Sequence, residues 1–167
     1  EPALNPYQRL MKRLLDLSLG GIALTLATPI MALVAVAIKL DSPGLAIYTQ
    51  GRVGENGKLF EMIKFRSMSV DADARLDEVV EETEDGRVIH KKKDDPRVTR
   101  VGRFLRKTRL DELPQFWNVL KGEMSLIGPR PERLHFIRQL EKEIPHYHDR
   151  LLVKPGLTGL AQVCNGY

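Results

Sequence analysis

From Leu17 to Ile38 the chain carries no charged side chain. At about 1.5 Å per helical residue, a run of that length reaches across a hydrocarbon core of about 30 Å. A secretory signal peptide fits less well, because the run is long, lacks a clear small-residue cleavage site and passes directly into Lys39. Pro29, preceded by Thr28, lies near its middle. Proline removes a backbone hydrogen bond, so a kink is expected there, with the Thr28 hydroxyl within reach of a freed carbonyl. Arg9, Lys12 and Arg13 precede the run, and Lys39, Arg52 and Lys58 follow it. The positive-inside rule therefore places both ends in the cytoplasm. Length favours an ordinary span, the flanking charges favour a re-entrant helix broken at Thr28-Pro29, and a buried soluble helix is the third reading.

Beyond this run the chain is soluble in character, so residues 1–40 read as a basic segment with a membrane helix and residues 41–167 as one domain. The net charge of +4 suits an anionic partner: a membrane surface, a nucleotide or a nucleic acid. The last is disfavoured by the modest charge and by the lack of exposed aromatics among the basic residues. A single cysteine, Cys164, excludes an internal disulfide and is consistent with a reducing compartment. It follows a strand-like Leu160–Val163 and reads as packing rather than as a nucleophile. The opening Glu1-Pro2 and the abrupt Asn165-Gly166-Tyr167 end read as a piece of a longer protein.

The expected fold is α/β, mostly α with a small β-hairpin. Ala46–Thr49 and Leu59–Lys64 are the two strands, joined by a glycine-rich turn over Gly54–Gly57. Asp71–Asp85 has helical spacing and ends at Gly86, and His90–Asp95 is a charge run that reads as a solvated loop, with a lipid-headgroup contact as the alternative. A short basic helix is expected over Val101–Thr108. An amphipathic one follows over Pro131–Ile144, with Leu134, Ile137, Leu140 and Ile144 on one face and Pro145 ending it.

Leu110–Gly122 (LDELPQFWNVLKG) holds the most informative chemistry. Leu113, Phe116, Trp117 and Leu120 recur at i, i+3, i+4 and i+7, which predicts an amphipathic helix with Asp111 as its N-cap and Gly122 just past its end. Asp111 and Glu112 would then stand at a helix N-terminus, where free N–H groups and the helix dipole favour an ionised carboxylate and equally attract a phosphate. Pro114 is tolerated in the first turn. Arg103, Arg106, Lys107 and Arg109 crowd the preceding segment, Lys64 and Arg66 close the second strand, and Arg130 sits in a turn between two prolines. Any one of these is ordinarily a surface charge, but fixed guanidinium groups together form a phosphate binder. His146, His148 and Asp149 match zinc patterns poorly, His90 and His135 have no recognisable partner, and no glycine-rich phosphate loop or dinucleotide fingerprint is present.

The ordered set KFRSM (Lys64–Met68), DPRVTRVGRFLRKTRLDELPQFWNVLKGEMSLIGPRP (Asp95–Pro131) and KPGLTGLAQV (Lys154–Val163) resembles the bacterial sugar transferases, the monotopic phosphoglycosyl transferases. The likeness runs from about Leu10 to about Val163. It implies a re-entrant membrane helix broken at Thr28-Pro29, with amphipathic interfacial helices around a compact cytoplasmic catalytic domain on the bacterial inner membrane. Thr28 stands where the family commonly has Ser, and either hydroxyl can bond a backbone carbonyl. The C-terminus departs from the family, whose members commonly continue past Val163 with further interfacial helices.

The implied reaction moves a sugar-1-phosphate from a nucleotide diphosphosugar, such as a UDP-sugar, to undecaprenyl phosphate. The family's dyad carries onto Asp111 as nucleophile and Glu112 in support. Mg²⁺ would bridge Asp111 and the diphosphate, and Lys64, Arg66, Arg106 and Arg130 match the basic residues around the phosphates. Partners implied are the nucleotide sugar, the lipid phosphate, the membrane and a possible second copy, with no nucleic acid. The alternatives are a membrane-anchored headgroup-binding module without catalysis and a hydrolase of nucleotide sugars.

Overall fold

The computed structural model describes residues 4–72, 74 and 95–164, together with the backbone of 81–82 and 88–89. The first element, α1 (Pro6–Asp41), is a single long helix. Its start is set by Asn5, whose Oδ1 accepts from the Gln8 amide at 2.8 Å while the Asn5 amide donates to Gln8 Oε1 at 3.0 Å. These reciprocal bonds satisfy donors that every helix start leaves free, and Pro6 needs none.

α1 packs on the rest of the protein through two stretches of one face. Arg13, Asp16 and Gly20 meet the later part of the chain, and Val34 and Ile38 join Phe65 and Leu105 in a core cluster. Around that face Leu15, Leu19, Ile22, Leu26, Leu33, Val36 and Leu40 are exposed. A fully soluble helix would not leave so much apolar surface in water.

β1 (Ile47–Val53) and β2 (Leu59–Phe65) form an antiparallel hairpin in which Tyr48 faces Lys64, Gln50 faces Met62 and Arg52 faces Phe60. A short helical turn over Glu55–Gly57 joins them, with Asn56 left-handed at φ 56°. β3 (Glu81–Glu82) and β4 (Val88–Ile89) make a small antiparallel pair. α2 (Arg100–Thr108) is capped by Thr99, and α3 (Gln115–Lys121) ends at Gly122, which adopts φ 85°. β5 (Ser125–Ile127) pairs in parallel with β6 (Gly156–Thr158), so that Ser125 faces Gly156. α4 (Leu134–Glu143) and α5 (Leu160–Cys164) complete the elements. Phe60, Met62, Val119 and Met124 bind the hairpin to α3, and Val53, Ile137 and Leu151 bind it to α4 and the turn after it.

The hairpin, the basic α2 and the amphipathic α4 lie where the sequence predicts them. Other expectations are corrected. Helical conformation runs through Pro29 without a break, and Thr28 Oγ1 donates to the Leu24 carbonyl at 2.8 Å rather than to that of Thr25, which Pro29 deprives of its amide. Asp111 is not a helix N-cap. Leu110–Glu112 is a separate turn, and Pro114 stands at the N-cap of α3. The face of α3 that is buried carries Gln115, Asn118 and Val119, while Trp117 is 51% exposed, so the apolar stripe read from the spacing partly faces outward.

Leu160–Val163 is helical rather than strand-like, and Cys164 is exposed rather than packed. Within the helix expected over Asp71–Asp85, residues 71, 72 and 74 lie in turns and Glu81–Glu82 is strand, the rest lying outside the described residues. Of the charge run His90–Asp95 only Asp95 is described; it pairs with Arg97 at 2.8 Å.

Candidate active site

Asp111 and Glu112 are presented by a sharp change of chain direction. α2 ends at Arg109, which adopts the left-handed conformation at φ 61°, ψ 13°. That region costs a non-glycine residue about 1–2 kcal/mol, and such strain concentrates at functional sites. The turn is closed by Glu112 N–H donating to the Arg109 carbonyl at 3.1 Å and by Leu113 N–H donating to that of Leu110 at 3.3 Å. Leu110 packs against the Val34, Ile38, Phe65 and Leu105 cluster, and Pro114 is buried. The dyad is thus held from both sides by apolar anchors.

Asn118 fixes its distance from the hairpin. This fully buried residue of α3 accepts from the Ile63 amide at 3.0 Å and donates to the Glu61 carbonyl at 2.8 Å, closing the outer edge of β2 as a neighbouring strand would. The remaining Nδ2 proton goes to Glu123 Oε2 at 2.7 Å. Residue 118 gives no periodic signal in sequence, and only the packing reveals it.

Lys64 lies at the end of β2, over the Tyr48 ring at 5.4 Å from its centroid. Burial pushes its ammonium below the ordinary lysine range, with the charge of Arg52 acting in the same direction and Asp111 and Glu112 opposing it. Burial pushes the Asp111 carboxyl up, opposed by Lys64, Arg106 and Arg109. Glu112 is pushed up by burial and by Asp111, and held down by Arg109, Arg130 and Lys64. Its Oε1 lies 3.8 Å from Arg109 Nη1. The expectation that a helix N-terminus keeps Asp111 readily ionised is therefore replaced: desolvation is the largest effect, and the basic ring counters it.

Of the basic residues singled out in the sequence, Lys64, Arg106 and Arg130 surround the dyad electrostatically. Arg66 is placed elsewhere. It is buried, and its Nη1 donates to the Pro43 carbonyl at 2.6 Å while Nη2 donates to Ser42 at 2.9 Å and 2.8 Å, tying the end of α1 to the hairpin.

Two contributors were illegible in the sequence. Arg52 shares the strand face of Lys64 and donates to the Pro131 carbonyl at 3.0 Å and to Gln50 Oε1 at 2.6 Å, docking the Gly128–Pro131 turn on the hairpin. Arg109 appears in the sequence only as one of four crowded cations, whereas its conformation makes the turn. The Gly128–Pro131 turn is held from the other side by Gly128 N–H donating to Thr158 O at 2.9 Å and Gly156 N–H donating to Pro129 O at 2.8 Å. A Cβ on Gly156 would collide with the Gly128 backbone, so glycine is required there.

The donor set fits Mg²⁺. Asp111 Oδ1 is buried and accepts no hydrogen bond, and Glu112 is its neighbour. Mg²⁺ characteristically takes one or two carboxylates and completes its shell with water and substrate phosphates.

Residues 7–167 match the family model described as bacterial sugar transferase. The chain is 46% identical over 98% of its length to an Aeromonas hydrophila UDP-N-acetylgalactosamine-undecaprenyl-phosphate N-acetylgalactosaminephosphotransferase, of which it covers 36%. It is 45% identical over 98% of its length to the UDP-glucose:undecaprenyl-phosphate glucose-1-phosphate transferase of Escherichia coli (strain K12), covering 33% of it. It is 44% identical over 91% of its length to galactosyl transferase CpsE of Streptococcus agalactiae serotype III (strain NEM316), again covering 33%. The chain thus spans about a third of the length of these relatives. Three different sugars occur in these names at nearly equal identity, so overall likeness does not single one out. With the family match extending from the start of α1 through α5 and across the dyad turn, the chain belongs to the bacterial sugar transferase family.

Proposed function

We propose that this chain is the catalytic part of a phosphoglycosyl transferase that moves a sugar-1-phosphate from a nucleotide diphosphosugar, a UDP-sugar in the first instance, to undecaprenyl phosphate. The observation that carries the reading is Asp111, a half-buried carboxylate with an unpartnered Oδ1, ringed by Lys64, Arg106 and Arg109 and set beside a long apolar helix.

A carboxylate oxygen of Asp111 attacks the sugar-side phosphorus. The bond from that phosphorus to the bridging oxygen breaks, and the nucleoside monophosphate leaves with that oxygen and the bond's electron pair. An oxygen of the lipid phosphate then attacks the same phosphorus. The acyl-phosphate bond breaks, returning the Asp111 carboxylate and leaving a polyprenyl diphosphosugar, the starting unit of a surface polysaccharide or glycoconjugate. Lys64, Arg106 and Arg130 bind the phosphate oxygens and stabilise charge that develops on them. Glu112, paired with Arg109, supports phosphate or metal positioning. Mg²⁺ held at Asp111 would neutralise diphosphate charge and ease departure of the nucleotide.

α1 is read as entering the membrane and keeping both ends on the cytoplasmic side of the inner membrane. Two packed stretches of one face support this, because Arg13 and Ile38 both contact the same body of the protein. Those contacts lie about 37 Å apart along the helix, and a spanning helix would put them on opposite sides of the hydrocarbon core of about 30 Å, where one body of protein could not meet both. A bend at Pro29 within the continuous helix, where the Thr25 carbonyl loses its amide, is the form of entry and return consistent with flanking charge, and the outward Trp117 and Phe104 are suited to the interface. The exposed Leu134, Phe136 and Ile144 of α4 offer a further apolar surface for lipid or for a second copy.

The test is intact mass spectrometry of the full-length parent in detergent with Mg²⁺ and a panel of nucleotide sugars, without lipid acceptor, beside Asp111→Asn. An adduct of one sugar phosphate on the parent alone is expected and names the sugar. Turnover to lipid-linked product by Asp111→Asn would overturn the covalent route. Lipid binding without any turnover in the parent would favour the headgroup-binding module.

A further inference from the structure

Three polar residues within about one turn of α1, just before the uncharged run begins at Leu17, bond to the rest of the domain, Lys12 at its surface and Asp16 in its interior. Lys12 Nζ donates to the Ile127 carbonyl at 2.9 Å. Arg13 donates from Nη1 to the Val119 carbonyl and from Nη2 to the Leu120 carbonyl, each at 2.7 Å. Asp16 Oδ1 accepts from Ser125 Oγ at 3.0 Å and from the Leu126 amide at 2.9 Å.

These bonds fall on two segments that flank the dyad. Arg13 occupies the last-turn carbonyls of α3, where unsatisfied oxygens and the negative end of the dipole favour a cation and a guanidinium fork fills two acceptors at once. α3 follows directly from Asp111, Glu112 and Pro114. Asp16 and Lys12 hold β5, which runs into the Gly128–Pro131 turn carrying Arg130. The approach is close: a Cβ on Gly20 would lie 3.3 Å from Val119 Cγ1, and one on Gly122 would lie 3.4 Å from the Arg13 guanidinium carbon. Asp16 is only 4% exposed and stands one residue from the apolar run. A carboxylate buried there is costly unless fully bonded, and simple packing would call for an apolar side chain.

We infer that Arg13 and Asp16 are positioning residues that couple the membrane depth of α1 to the height of Asp111 and Arg130 above the lipid. The inference rests on the phosphoglycosyl transferase reading. One substrate of that reaction arrives from water and tolerates a range of heights, whereas the acceptor phosphate is fixed at headgroup level. Disturbing the two contacts therefore slows attack by the lipid phosphate more than formation of the covalent intermediate.

The experiment uses the full-length parent in nanodiscs, beside Asp16→Ala, Asp16→Asn, Arg13→Ala and Arg13→Lys, with two readouts. The first is kinetic: adduct formation from the nucleotide sugar, and separately kcat/KM for undecaprenyl phosphate. The second is quenching by lipids brominated at different acyl positions of Trp117, the one tryptophan of these 167 residues, in a parent whose tryptophans elsewhere are replaced by phenylalanine. Trp117 lies on α3, two residues before Val119.

Asp16→Ala and Arg13→Ala should lower acceptor kcat/KM by about 10–10²-fold, the scale of a displacement near 1 Å, with adduct formation little changed and a shifted quenching profile. Asp16→Asn keeps Oδ1 as an acceptor and should behave as the parent. Arg13→Lys loses the fork and should show a smaller shift in the same direction, which keeps the comparison open where an alanine variant fails to fold. Parent-like quenching and acceptor kinetics in Arg13→Lys and in a folded alanine variant would overturn the coupling, as would equal loss in both half-reactions. Quenching does not depend on turnover, so a parent that forms no adduct counts against the functional reading while the Trp117 profile still decides the coupling.

Discussion

Lys64 and Asp111 offset one another across the gap between β2 and the dyad turn. Burial lowers the lysine and raises the aspartate, and in each the charge of the other is a restoring influence. Neither would be held in its ionised form as well without its neighbour, and the pair is kept at working distance by the Asn118 bonds to β2.

Asp111→Asn removes the nucleophile, so adduct formation and turnover should fall by about 10³-fold or more. The same variant should be more stable than the parent at neutral pH. A carboxyl whose folded pKa lies above its unfolded value stabilises the fold at low pH, and that contribution is lost as pH rises through the folded value. Thermal melts should therefore show a higher Tm for Asp111→Asn at pH 7, with the advantage shrinking as pH falls through the carboxylate range.

The pH profile of adduct formation should have an acid limb centred above 3.8, the ordinary aspartate value, because burial raises Asp111. Lys64→Met removes the leading charge that opposes this, so the limb should move to higher pH and the plateau rate should fall by about 10²-fold. Single-turnover rates against pH for the two proteins measure both effects.

Arg66→Gln should behave as a folding variant. It breaks the guanidinium bonds to Pro43 and Ser42 in a buried setting, at a cost of about 2 kcal/mol or more. Denaturant midpoints should drop, while KM for the nucleotide sugar in the folded fraction stays near that of the parent. Arg130→Gln should show the opposite pattern, with kcat/KM reduced and stability little changed.

Asn118→Leu leaves the Ile63 amide and the Glu61 carbonyl unpartnered, and about 1–3 kcal/mol of stability should go with each buried group exposed to that fate. Asn118→Asp replaces the donor by an acceptor facing Glu61 O and Glu123, so it should be no milder. Chemical denaturation ranks the two variants against the parent.

Of the candidate site, Arg106, Asp111 and Glu112 stand in one short segment that the sequence itself displays, and the fold brings the charges of Lys64 and Arg130 to bear on it. Asp111, Glu112, Lys64, Arg106 and Arg130 are residue types whose charge is informative wherever they fall, and the hairpin that carries Lys64 announces itself by its glycine-rich turn. The exact framing was not legible. Periodicity places Asp111 at a helix start because Leu113, Phe116, Trp117 and Leu120 recur correctly, yet Pro114 delays the helix and Arg109 turns the chain before it. The same periodicity marks Trp117 as core, whereas an apolar face toward lipid and one toward a core share one pattern. Arg66 misleads because two strand-end cations look alike until their acceptors are seen. Leu160–Val163 misleads because a run so short carries no decisive period.

The bonds of Asp16 also set an order of events at the ribosome. Asp16 is made 109 residues before Ser125. At about 5–20 residues per second, roughly 5–20 s pass before its partner exists. Throughout that interval the nascent helix carries an acid with nothing to bind and a flank of leucines with nothing to cover them. Delivery to a bilayer surface in that interval would shelter the leucines and leave Asp16 at the wet boundary. Capture of Asp16 by Ser125 and the Leu126 amide would then end assembly of the domain and seating of the helix in one step.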